Sequence, residues 1–263
     1  MSGLLGVSVV PKMKRPFFSC VMPVKGSRPY MEEALESLTA QGMGDELEVI
    51  VQDGDVEPDA GQSDALNKGF AKARGEWFFW LNADDVLLRG ALKKVLDRIY
   101  KIDRSEWIAG NTVYTDEKGI AKDVRTDAKW RPWFGKHMTV WSGGPSAFFK
   151  RELWERSGGF DINLRYVMDI DLWTRWAKAG VRFESLNDYV WGFRWHEGST
   201  TASGNNKAAH IKEKRVLLSR YGIGHPYAWR NLTRAASFLD GMWFKRQRDS
   251  RLLHGIHWSE IKC

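Results

Sequence analysis

The sequence predicts an α/β domain built on an open, mostly parallel sheet with helices on both faces, followed by a helical, basic C-terminal appendage. Three observations carry this reading. Short apolar runs alternate with segments whose apolar residues recur at helical spacing. The third run, Trp77-Phe78-Phe79-Trp80-Leu81, is apolar on both faces, as a central strand covered by helices must be. The surplus of positive charge is confined to the tail, with 12 Lys and Arg against 4 Asp and Glu in 207–263 and 28 against 29 in the remainder.

The first strand is expected at Phe17 to Pro23, closed by Pro23 and then Gly26. Met31, Leu35 and Leu38 mark a helix, and Leu47 to Gln52 a second strand. Ser63 or Asp64 can cap the next helix, whose apolar positions Leu66, Phe70 and Ala73 lead to Gly75 as a left-handed stop. After the third strand, Ala91, Leu92, Val95, Leu96 and Ile99 form a helix. Beyond residue 105 the pattern loosens. Trp107 to Asn111 and Val113 to Asp116 read as strands, Asp116 to Gly119 as a turn, and Glu152 to Ser157 and Ile170 to Ala179 as helices. The chain divides into an extension, 1–16, a main domain, 17–206, with halves meeting at 105/106, and a basic tail, 207–263.

With 43% hydrophobic and 28% charged residues over 263 positions, a sizeable buried core is expected. Cys20 and Cys263 supply neither a disulfide framework nor a metal spacing. The opening MSGLLGVSVVPKMKR sets its apolar run before its basic cluster, the reverse of a secretory signal, and no apolar run approaches the roughly 18 residues of a membrane span. A cytoplasmic protein is expected. The body is electrically balanced, which argues against a nucleic-acid groove. In the tail, Trp229, Leu232, Ala236, Leu239 and Trp243 recur at helical spacing while Arg230, Arg234, Lys245, Arg246 and Arg248 crowd the polar side. Such a basic amphipathic helix over 227–251 either packs back on the domain or lies against an anionic membrane at its inner face.

In sheets of this class, ligands bind outside the carboxyl ends of the strands. Those ends carry Pro23 to Arg28, Asp53-Gly54-Asp55 and Asn82-Ala83-Asp84-Asp85. Converging carboxylates suit a hard divalent cation and a phosphate-bearing ligand, and two carboxylates directly after an apolar strand repel each other unless something positive offsets them.

The runs Cys20 to Val24, Val49 to Gly54, Gln62 to Phe70 and Gly75 to Asp85, followed by Gly158-Gly159-Phe160-Asp161, Met168 to Trp173 and Arg194-Trp195-His196, resemble glycosyltransferase family 2 over residues 17 to 200. The resemblance implies a GT-A fold and an inverting transfer from a nucleoside-diphosphate sugar, a UDP-sugar first, to a hydroxyl of a saccharide or lipid-linked acceptor, in surface-polysaccharide synthesis. It implies that Pro23 and Val24 line the nucleoside pocket and Asp53 bonds the base, with Asp64, Lys68, Asn82, Asp84 and His196 completing the donor site. Mn²⁺ or Mg²⁺ is expected on Asp85, with Asp84 beside it. Where many members read Asp-x-Asp-Asp, this chain has Asn82, a neutral oxygen donor. Asp169 matches the family's general base, with Met168 in place of the usual Glu, and Asp171 is the rival for that role. Trp130, Trp133 and Trp141 are candidates for an acceptor cleft, since aromatic faces accept the apolar face of a sugar, whereas Trp77, Trp80, Trp173 and Trp176 read as core. The competing readings are a nucleotidyltransferase, which would show a richer Gly and basic loop than Lys25-Gly26-Ser27-Arg28, and a non-catalytic carbohydrate-binding protein, which leaves the acidic strand ends unexplained.

Overall fold

The computed structural model describes residues 15–102, 105–126, 143–199, 206–223 and 226–263. Among them, eight strands form one sheet in the order β2-β1-β3-β7-β5-β8-β4, with β6 paired to β5 at its side. The strands are β1 (Phe18–Val24), β2 (Leu47–Asp53), β3 (Trp77–Trp80), β4 (Val86–Leu87), β5 (Trp107–Thr115), β6 (Ala121–Arg125), β7 (Ala147–Lys150) and β8 (Phe183–Arg194). The expected parallel arrangement holds for β1 with β2 and β3, and again for β5 with β8. Strands β7 and β4 run antiparallel to their neighbours, so the sheet is mixed beyond its first three strands.

Helices α1 (Met31–Thr39), α2 (Gln62–Lys72) and α3 (Ala91–Lys101) link the first strands as expected. The sheet is apolar on both faces because both are covered. Phe78, Trp80 and Phe149 pack with Leu66 and Phe70 of α2, while Phe18, Phe79 and Phe148 pack with Leu38 of α1 and Leu92 and Val95 of α3. Helix α4 (Arg151–Ser157) and helix α5 (Met168–Lys178) complete the first of these layers, in which Trp107 stacks on Trp173 at 4.8 Å between ring centroids. Trp77, Trp80, Trp173 and Trp176 are core residues, as their sequence context indicates.

Gly75 does not stop α2 by a left-handed turn. The helix ends at Lys72 with extended Ala73 after it, and a Cβ on Gly75 would stand 2.8 Å from the backbone nitrogen of Ser19. The glycine serves close approach to β1 rather than a cap. The two short strands expected over 107–116 are one strand, β5, whose pairing with β8 shifts register around Gly110. There, a Cβ would meet the Val190 side chain at 2.6 Å. Strand β8 was not anticipated, because Glu184, Asn187 and Asp188 interrupt any apolar alternation in its first half.

Beyond the sheet, α6 (Lys207–Tyr221), α7 (Pro226–Leu239) and α8 (Met242–Leu253) follow. The tail helix expected over 227–251 is therefore two, separated by Asp240 and by Gly241 in the left-handed region at φ 74°. Helix α8 rests on β6: Arg246 donates to the Val124 carbonyl at 2.9 Å and pairs with Asp123 at 2.6 Å. Residues 255–263 then strap back across the domain, with bridges from His257 to Ile120 and from Lys262 to Arg89.

Candidate functional site

The rim begins where β1 and β2 end side by side. Val24 is paired with Asp53, and the Gly54 amide donates to the Val24 carbonyl at 2.9 Å. Asp53 accepts from the Asp55 amide at 2.9 Å and from the Arg28 guanidinium at 2.7 Å. Those two donors, the amide first, hold its carboxyl below the usual range despite some desolvation, so it remains an ionised acceptor. Pro23 and Val24 end β1 beside it, Pro23 partly buried and Val24 buried. On α2, Asp64 accepts from the Ala60 amide at 3.0 Å and pairs with Lys68 at 2.9 Å, and Lys68 also donates to the Pro58 carbonyl at 2.7 Å. These two residues thus fasten the loop before α2. The same helix reaches the rim through Gln62, whose amide donates to Asn82 Oδ1 at 2.7 Å.

The segment after β3 is organised by antiparallel pairing of β4 with β8, Val86 opposite Gly192 and Leu87 opposite Trp191. This pairing sets Asp84 and Asp85 against the end of β8. Asp85, expected to hold a metal, turns inward and is 1% exposed. One of its oxygens accepts from the Arg194 amide at 3.0 Å and the other from Asn82 Nδ2 at 2.8 Å. Burial, and then the charge of Asp84, push its carboxyl well above the ordinary range. Asp84 is the carboxylate presented outward. Its side chain is 34% exposed and lies 3.0 Å from His196 Nε2, whose side chain is 14% exposed. Asn82 is therefore spent on Gln62 and Asp85, and the outward pair is Asp84 with His196.

Arg194 is the residue that sequence reasoning missed. It is 1% exposed and donates to the Asp84 carbonyl at 3.0 Å, the Glu117 carbonyl at 2.6 Å and Glu33 Oε2 at 2.5 Å. A buried guanidinium is tolerable only with its donors spent in this way. Its charge lies over the Tyr30 ring at 4.4 Å, and Tyr30 in turn packs on His196 at 5.1 Å. Glu33 also accepts from Trp258 Nε1 at 3.3 Å. The signal was present in Phe193-Arg194-Trp195-His196, a basic residue within an apolar run, which ought to be paired when buried.

Helix α5 carries the two carboxylates that the sequence offers as candidate bases, and it divides them. Asp169, in the first turn, is partly buried and accepts from the Ile170 amide at 2.8 Å. Desolvation raises its carboxyl to about 6, against the pull of the Ile170 and Asp169 amides and the Arg125 charge. Asp171 is fully engaged elsewhere: it accepts from Arg175 at 2.9 Å, Arg220 at 3.0 Å and Tyr221 at 2.5 Å. It is a buried anchor between α5 and α6, unavailable to a substrate. Ser63 of α2 donates to the Leu164 carbonyl at 2.5 Å, just ahead of α5, which ties α2 to the start of that helix. Trp130, Trp133 and Trp141 lie outside the described residues. Among the described residues, no three His, Cys, Asp or Glu side chains converge to hold an ion.

The profile of Glycosyl transferase family 2 matches residues 56–150. An uncharacterized glycosyltransferase of Rickettsia typhi is 23% identical over 236 residues, 78% of this chain and 71% of that protein. One of Rickettsia conorii is 24% identical over 259 residues, 84% of this chain but 42% of its own length. Among solved structures, S. aureus TarS 1–349 in complex with UDP-GlcNAc superposes with a TM-score of 0.56 at 17% identity, covering 71% of this chain and 60% of that one. The mannosyltransferase PcManGT from Pyrobaculum calidifontis, in complex with GDP-Man and Mn²⁺, superposes with a TM-score of 0.57 at 21% identity over 88% of this chain and 76% of that one. Profile, relatives and superposed structures agree: the chain has the GT-A fold and is similar to the glycosyltransferases of family 2.

Proposed function

We propose that the protein transfers a sugar, with inversion, from a nucleoside-diphosphate sugar to a hydroxyl of a saccharide or lipid-linked acceptor in the synthesis of a surface polysaccharide. The observation that carries this reading is the meeting of Asp84 with His196, 3.0 Å apart and both reaching solvent, just beyond the carboxyl end of β3. One carboxylate and one imidazole leave the remaining positions of a divalent ion open to phosphate oxygens. This donor set fits Mn²⁺ well and Mg²⁺ less well, since imidazole is the softer ligand. Asp84 and His196 would hold such an ion, which would supply positive charge against the diphosphate. Asp53 accepts a hydrogen bond from the base, with Pro23 and Val24 beneath the nucleoside.

Asp169 takes the proton of the acceptor hydroxyl as its oxygen forms a bond to the anomeric carbon. The bond from that carbon to the diphosphate oxygen breaks, and its electron pair leaves with the nucleoside diphosphate. A base near 6 is ionised at neutral pH yet still basic enough to draw the proton, which a carboxylate at its ordinary pKa does less well. The relatives in complex with UDP-GlcNAc and GDP-Man make these two donors the first to test, the UDP-sugar before the GDP-sugar. Incubating the protein with a panel of nucleotide sugars, Mn²⁺ and saccharide or lipid-linked acceptors should release nucleoside diphosphate. Release of pyrophosphate would instead establish a nucleotidyltransferase, and sugar binding without any turnover a carbohydrate-binding protein.

A further inference from the structure

The turn between α7 and α8 leaves large apolar side chains in water. Phe238, Leu239, Trp243 and Phe244 are 52%, 80%, 46% and 55% exposed. The three rings gather on one another, with centroids 5.0 to 6.0 Å apart, rather than on the core. The same helices turn other residues inward. Ala236 and Met242 are buried, and α8 is held to the sheet largely by polar contacts: Ser250 and Arg246 to Asp123 at 2.9 and 2.6 Å, and Tyr189 to Asp249 at 2.9 Å. A helix docked for its own stability buries its aromatic side and shows its polar one. Here the large aromatic residues face out.

We propose that this corner enters the headgroup region of an anionic phospholipid bilayer. Charge complementarity names the occupant. Arg234 precedes Phe238 by one helical turn and Arg248 follows Phe244 by one, both exposed, and Arg251 continues that face. The tail as a whole carries 12 Lys and Arg against 4 Asp and Glu. Aromatic side chains at the apex of a turn, flanked by arginines, match a bilayer interface, where rings settle at headgroup depth and cations meet lipid phosphates. No helix among the described residues is long and apolar enough to cross a membrane, so the contact is a surface one. The inference concerns binding alone and stands whether or not the catalytic roles above are correct.

Flotation of the full chain with vesicles of phosphatidylcholine and phosphatidylglycerol tests it. The protein should float at low salt, be released at high salt, and stay behind with pure phosphatidylcholine. Trp243→Ser/Phe244→Ser should lower the bound fraction at least ~10-fold, and Arg234→Glu/Arg251→Glu should do so on anionic vesicles, both with wild-type melting temperature because the replaced side chains face water. The charge pair keeps the test decisive if the aromatic pair melts early. Wild-type protein that fails to float, or either folded variant floating as well as wild type, overturns the proposal. So would sedimentation showing a wild-type dimer and a monomeric aromatic variant without vesicle binding, which assigns the corner to a second copy of the chain.

Discussion

At the scale of single residues, the site separates groups that present themselves to a ligand from groups that hold the presenters in place. Asp84 and His196 present; Asp85 and Arg194 hold. Replacing His196 or Asp84 by Ala should therefore weaken Mn²⁺-dependent nucleotide binding at least ~10-fold with little change in melting temperature, as read by calorimetry. Asp85→Ala should do the opposite in kind, since it strands the Arg194 amide and the Asn82 side chain in a buried place, at about 1–3 kcal/mol for each lost partner. Its melting temperature falls first. For Asp169, Asn should cut kcat at least ~100-fold and leave donor affinity unchanged, because the proposed base would act on the acceptor. The pH dependence follows from the direction of its shift. A carboxyl raised to about 6 is protonated, and useless as a base, below that pH, so kcat should fall about tenfold per unit as pH drops beneath 6 and hold steady above it. An acid limb centred near 4 would instead point to a solvated carboxylate.

The element scale shows why Asp169 and Asp171 could be named together from sequence but not told apart. Both fall in the first turn of α5, and only the packing of α6 against that helix decides that Asp171 faces Arg220 and Tyr221. Nothing in Met168 to Trp173 encodes a partner 49 or 50 residues downstream. The strand ends were legible for the converse reason: β1, β2 and β3 are local patterns, and parallel pairing aligns their carboxyl ends automatically. The Asp84–His196 meeting was half legible. Each residue stood in a recognisable motif, but β4 is two residues long and β8 is broken by polar positions, so the pairing that joins them leaves no periodic trace. Asp171→Ala should destabilise the protein by about 3 kcal/mol, the low end for a broken buried pair because Arg175 and Arg220 can rehydrate. Thermal melts would register this while Mn²⁺ affinity stays at the wild-type level.

In the molecule as a whole, the sequence located the basic surplus correctly but drew its helix as one continuous stripe. Gly241 breaks it, sending Ala236 inward and Leu239 and Trp243 outward, an outcome set by tertiary docking on β6 and not by spacing. The strap 255–263 was invisible because its contacts are bridges and single side chains, none with a sequence period. Yet it reaches the site. Trp258 meets Glu33, Glu33 meets Arg194, and Arg194 carries the backbone of Asp84. Trp258→Ala should accordingly raise the Mn²⁺ concentration needed for half-maximal rate several-fold, with kcat at saturating metal close to wild type, whereas a merely stabilising residue would move the melting temperature alone. The same link gives the site a position in time. Glu33 emerges from the ribosome early and Trp258 225 residues later, so a nascent chain can complete the sheet before it can complete the support beneath Asp84. Translation thus makes the support beneath Asp84 the last part available, and a polypeptide released before that tryptophan is made should bind the proposed metal ion more weakly than the full chain.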